Sequence, residues 1–185
     1  MAPPPFIMLM GLRGSGKSTV GRLLAARLGL GFADLDDLTA AGLEKPNAGA
    51  AIRAHGFEAF RKAEAAALGR VLSREGLVLA LGGGTPTAPG AADLLRDRVR
   101  SGAELVYLHA SPDELRRRLE STDTASRPSL TGAGTLDEIA RVYLERDPAY
   151  RALCTRVVET EGREASEIAE DVLQREGREG LRGRD

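Results

Sequence analysis

Residues 6–21 read "FIMLMGLRGSGKSTVG". Phe6-Ile7-Met8-Leu9-Met10 is an unbroken apolar run, the pattern of a central parallel strand buried on both faces. "GLRGSGKS", residues 11–18, then fills every position of G-x-x-x-x-G-K-[ST]. Residues 17–28 carry Val20, Leu23, Leu24 and Leu28 at helical spacing, and Gly29 stops the helix. Strand, glycine loop and helix is the context this phosphate-binding motif demands. Gly11, Gly14 and Gly16 let the backbone wrap an anion, so that loop N–H groups and the helix N-terminus point at phosphate oxygens. Ser15 and Thr19 complete the segment. Lys17 supplies charge at the β- and γ-phosphates of a nucleotide, and Ser18 a hydroxyl for Mg²⁺. The alternative is an ordinary glycine turn before a helix; motif and context together stand against it.

Outward from this stretch, strands and helices alternate. A short run to Phe32 and Ala33 gives a second strand. Helical spacing covers about 57–73, through Phe57, Phe60, Ala63, Ala67, Leu68 and Val71. A strand is predicted over 77–81, a helix near 91–99 and a strand over 105–108. "SPDELRRRL" opens a helix with Ser111 as N-cap, Pro112 at the first position and acids in the first turn. Residues 120–134, "ESTDTASRPSLTGAG", are polar and breaker-rich, a loop. Helix returns at about 135–147, then a fifth strand at 156–159 and a last helix over 164–175. The alternation predicts an α/β fold on a parallel sheet, with ligands beyond the carboxyl ends of the strands.

Composition narrows the class. A chain of 185 residues, 42% hydrophobic and 29% charged, fits one soluble domain with one sizeable core. The net charge of −1 offers no global basic field for nucleic acid. Cys154 is the sole cysteine, so no internal disulfide forms, and its neighbours Leu153 and Thr155 suit a structural role. Two histidines and one cysteine argue against structural zinc. No apolar stretch reaches about 18 residues, so no membrane span is expected, and the N-terminus does not read as a secretory signal. Residues 1–5 and the charged tail 177–185 are expected to be poorly ordered.

Four further features carry chemistry. "FADLDD" puts Asp34 and Asp36 at the end of the second strand, where alternation sets both side chains on one side of the chain. They suit a metal and an acceptor, although Asp36 and Asp37 could equally cap a helix. "LALGGGTP", residues 79–86, ends a strand in Gly82, Gly83 and Gly84, which cost backbone entropy and point to a close approach. Arg61 and Glu64 in "GFEAFRKAE" lie three apart on one helix face, the spacing of an ordinary ion pair. Arg127 stands in the loop, and Arg146 in "ERDPAYR" at the end of a helix.

Taken in order, "GLRGSGKSTVG", "FADLD", "FRKAE", "LGGGT", "RPSL" and "RDPAY" resemble the shikimate kinase family from Phe6 to about Leu173. The resemblance implies a three-layer P-loop kinase fold of the nucleoside-monophosphate-kinase type. It would have a central five-stranded parallel sheet, helices on both faces and a mobile lid at about 120–134. It implies transfer of the ATP γ-phosphoryl to the 3-hydroxyl of shikimate, with Mg²⁺, in one cytoplasmic, monomeric domain. By position, Lys17 and Ser18 fall on the ATP and Mg²⁺ sites, and Asp34 on the residue helping to hold the metal. Asp36 falls on the partner of the substrate hydroxyls and candidate base. Arg61 and Arg146 fall on the carboxylate grip, Gly82 to Gly84 on backbone lining the ring, Arg127 on the lid arginine and Arg118 beside the adenine. The substrate region would span about 35–64. The chain departs from the family in "NAGAAIRA", before "HGFEAFR", and in a slightly longer stretch between Arg118 and Arg127. Two rivals stand beside this reading: another small-metabolite kinase, such as a gluconate kinase, and a catalytically silent nucleotide-binding module.

Overall fold

The computed structural model describes residues 5–120 and 138–179, with side chains to 174. Five strands form one sheet: β1 (Phe6–Met10), β2 (Gly31–Asp34), β3 (Leu77–Ala80), β4 (Glu104–His109) and β5 (Arg156–Glu159). Their order is β2-β3-β1-β4-β5, and every pairing is parallel. β1 is central, flanked by β3 and β4, which is why its sequence is apolar at every position. Alternation divides it between two cores. Ile7 and Leu9 face α1 (Lys17–Leu28) and α8 (Ala165–Glu179), packing with Val20, Leu24, Ile168 and Val172. Phe6, Met8 and Met10 join the core under α4 (Phe57–Leu72), α5 (Ala91–Arg100), α6 (Pro112–Glu120) and α7 (Ile139–Leu153). Helices thus cover both faces, as expected.

The structure differs from the sequence reading in four places. Two short helices, α2 (Leu35–Gly42) and α3 (Ala48–His55), occupy the region between β2 and α4. They pack Ala40 and Ala51 on Phe60 in a small core of their own, and are too short for periodicity to declare them. α7 does not stop near 147; it runs through Pro148 to Leu153, so Arg146 lies inside the helix rather than at its end. A proline inside a helix costs a hydrogen bond and crowds the previous turn. Here the buried Tyr150 and Leu153 beyond it hold the helix to the core. Asp36 does not continue the alternation of β2, because the strand ends at Asp34 and Asp36 is already in the first turn of α2. At the C-terminus, α8 continues to Glu179, past the helix end expected at 175. Arg127 and most of the expected lid lie outside the described residues, as do 1–4 and 180–185.

Candidate active site

The crevice lies at the carboxyl ends of β1, β2 and β3. One half is the loop after β1. Gly14 and Gly16 take φ of 86° and 90°, the left-handed region glycine enters freely. Gly16 is the N-cap of α1, which has no side-chain cap and no acid in its first turn. The N–H groups of that turn therefore face the loop with no capping side chain and no first-turn carboxylate. Ser15 is 1% exposed and its Oγ has no partner among the described residues. Lys17 Nζ donates to the carbonyls of Gly11 at 2.9 Å and Leu12 at 3.1 Å, which draws the ammonium back along the loop. Thr19 is exposed on the first turn.

Asp34 ties this loop to β2. Its Oδ2 accepts from Ser18 Oγ at 2.6 Å, and its Oδ1 accepts from the Asp36 amide at 3.0 Å, capping α2. The helix cap foreseen at Asp36 or Asp37 is thus Asp34. Ser18 and Asp34 place a hydroxyl and a carboxylate side by side, the oxygen donors a hard divalent cation takes. No cluster of three or more acidic, histidine or cysteine side chains occurs among the described residues. A cation here would depend on these two groups, phosphate oxygens and water.

The other half is built on the glycine run after β3. A Cβ on Gly82 would lie 2.7 Å from Asp36 Oδ1, 2.7 Å from Glu64 Oε1 and 2.9 Å from Thr85 Oγ1. A Cβ on Gly84 would lie 2.2 Å from Arg61 Nη2. Two of the three glycines are therefore bare to admit the chain's own side chains. Gly83 meets nothing closer than 3.8 Å, among them Arg146 Nη1 and the Gly11 carbonyl. The Arg61–Glu64 pair forms, at 2.5 Å, but is not an ordinary surface pair. The Glu64 side chain is 3% exposed and its other oxygen accepts from Thr85 Oγ1 at 2.6 Å. The Arg61 guanidinium also lies 4.8 Å from the Phe57 ring centroid. Arg146 Nη1 donates to the Gly83 carbonyl at 2.8 Å. Asp147 does not take Arg146; it accepts instead from Tyr107 and Arg151, each at 2.9 Å.

Arg118 stands beside the P-loop. Its Nε donates to Glu114 Oε1 at 2.7 Å, and its guanidinium donates to the Thr160 carbonyl at 2.5 Å and the Gly14 carbonyl at 3.5 Å. Arg117 and Arg118 together hold the Glu114 carboxyl below its usual range against the cost of burial. Burial pushes the Cys154 thiol up, which disfavours the thiolate and fits a structural cysteine. Thr85, Tyr107 and Tyr150 also contribute to the site. Thr85 closes "LGGGT" and Tyr150 closes "RDPAY", yet neither drew a role of its own there; Tyr150 lies one helical turn from Arg146, a spacing that could have drawn attention to it.

The comparisons agree with this geometry. The model of the family described as shikimate kinase matches residues 13–176. A shikimate kinase of Rhodopirellula baltica is 39% identical over 176 residues, covering 92% of this chain and 90% of the relative. The structure of a shikimate kinase from Acinetobacter baumannii in complex with shikimate superposes with a TM-score of 0.82 at 31% identity, covering 92% of each chain. A gluconokinase from Sinorhizobium meliloti gives a lower TM-score, 0.62, at 25% identity, covering 96% of this chain and 95% of its own. The chain belongs to the shikimate kinase family.

Proposed function

We propose that the crevice transfers the γ-phosphoryl of ATP to the 3-hydroxyl of shikimate. One observation carries the reading: the two aspartates are divided between the halves of the crevice. Asp34 binds the P-loop serine, whereas Asp36 reaches Gly82 on the acceptor side. A phosphoryl donor and an acceptor alcohol thereby each meet a carboxylate of their own.

Phosphoryl transfer asks the protein for little covalent work; positioning and charge neutralisation dominate. The uncapped turn of α1, Ser15 Oγ and Gly11, Gly14 and Gly16 receive phosphate oxygens, with Ser18 and Thr19 on the first turn. Lys17 leaves its two carbonyls for the β- and γ-phosphates, and Arg118 borders the base. Ser18 and Asp34 would hold Mg²⁺, which when bound offsets phosphate charge. Asp36 orients the hydroxyl and takes its proton. Arg61 and Arg146 face a carboxylate with planar forks that a lysine cannot copy, over the backbone of Gly82, Gly83 and Gly84. Arg127, outside the described residues, would add a further positive charge at the phosphates. The enzyme acts as a monomer in the cytoplasm, where ATP is supplied.

The test is ADP release, followed in a coupled assay with shikimate, gluconate or no acceptor. Release that depends on shikimate and not on gluconate is the expected result. Equal release in all three would remove the acceptor assignment.

A further inference from the structure

We propose that Tyr150 is a positioning residue for the acceptor site: its hydroxyl and the Arg146 guanidinium share one backbone carbonyl, that of Gly83, and so fix the arginine and the glycine run together. The inference rests on the carboxylate-reading role given above to Arg146.

Arg146 and Tyr150 are four apart on α7, hence on one face. The Tyr150 side chain is fully buried, and its hydroxyl donates to the Gly83 carbonyl. Arg146 Nη1 donates to the same oxygen at 2.8 Å. A carbonyl has two lone pairs, and this one has a donor for each. Its residue is the middle one of three glycines, where no Cβ restricts peptide rotation. The two donors supply the restraint that a side chain would give elsewhere. Among the described residues the buried Arg146 Nε has no hydrogen-bond partner, so the described protein groups do not use every donor of the fork.

The phenol is itself held. The Tyr107 ring meets it edge to face, 5.2 Å between centroids at 86°, and the Tyr107 hydroxyl donates to Asp147 at 2.9 Å. Burial pushes the Tyr150 phenol up to about 12, with Arg146 pulling the other way, so it remains a donor at any neutral pH. Removing only the oxygen leaves the ring packing in place. It takes one anchor from Gly83 and loosens the arginine that shares it.

The experiment is Tyr150→Phe, with shikimate and ATP each varied in the ADP-release assay and thermal unfolding followed alongside. The KM for shikimate is expected to rise roughly tenfold, the loss of about one hydrogen bond to a charged network. The KM for ATP should hold. The preference of the wild type for shikimate over its methyl ester should shrink in the variant, because the interaction the ester lacks is already loosened. In an Arg146→Lys background the same change should add little, since the two donors act as one unit. Unchanged shikimate KM, both KM values moving together, or a variant that does not fold would each assign Tyr150 to packing alone and overturn the proposal. Wild-type enzyme without shikimate-dependent turnover would overturn the acceptor assignment itself, and is seen before any variant is compared.

Discussion

Asp34 and Asp36 are two apart in the chain and face different problems. Asp34 is buried, accepts from Ser18 and caps α2 through the Asp36 amide. Replacing it with asparagine keeps a capping oxygen, which at an N-cap costs little, but removes charge beside the P-loop hydroxyl. Asp36 is half-buried and reaches Gly82 across the crevice. Asp36→Asn should lower kcat about 10²-fold or more, the usual weight of a proton acceptor at the reacting group, and leave the KM for ATP alone. Asp34→Asn should instead raise the Mg²⁺ concentration needed for half-maximal rate. Steady-state kinetics with Mg²⁺ and shikimate varied in turn separate them; identical profiles would contradict the division of labour. Lys17 and Ser18 were legible in the sequence because a phosphate loop demands fixed residue types at fixed offsets, and Asp34 because "FADLDD" sets a carboxylate at a strand end. The contacts of Tyr150 and Thr85 were not, although the two residues close "RDPAY" and "LGGGT". Their partners are a backbone carbonyl and a carboxylate far along the chain, and only the folded sheet brings these together.

Element by element, legibility follows burial and length. β1, α1, α4 and β5 were readable because each has an uninterrupted pattern fixed by a buried face. α2 and α3 were not, since eight residues each give barely two turns of periodicity. Their caps at Asp34 and Asn47 were the available signal. α7 exceeded its expected end because Tyr150 and Leu153 weigh more than the disruption at Pro148. The packing of α7 on β4 makes a pH prediction. Tyr150 is raised from its ordinary value of 10.0 to about 12 by burial, and Tyr107 is raised too, by burial and by Asp147. Both phenols favour the neutral form in the folded chain. Their contribution is whole below the unfolded value near 10.0 and is lost as pH rises through the folded one. Urea midpoints should therefore fall steeply between pH 10.0 and about 12, and less steeply in Tyr107→Phe, which removes one of the two groups. An equal slope in both chains would count against this.

At the scale of the molecule, β1 serves two cores, so each face of the sheet needs its helices. Ile168, Ala169 and Val172 of α8 are almost wholly buried against α1 and the sheet. Fully burying an aliphatic side chain is worth about 1.5–3 kcal/mol, and a domain holds only about 5–15 kcal/mol in all. A chain ending at Glu164 is expected to lose cooperative unfolding in urea and to bind a hydrophobic dye; a sharp transition in that chain would contradict the two-core account. The strand order has a separate consequence, for synthesis on the ribosome. β1 is made first, yet its neighbours are β3, where Met8 pairs with Leu79, and β4, where Met8 pairs with Leu105. At about 5–20 residues per second, the first partner arrives on the order of ten seconds later. Until then "FIMLM" is an apolar strand with two open edges and no native mate. The nascent chain is therefore most exposed to wrong pairing, and most in need of a chaperone, during the making of its first half.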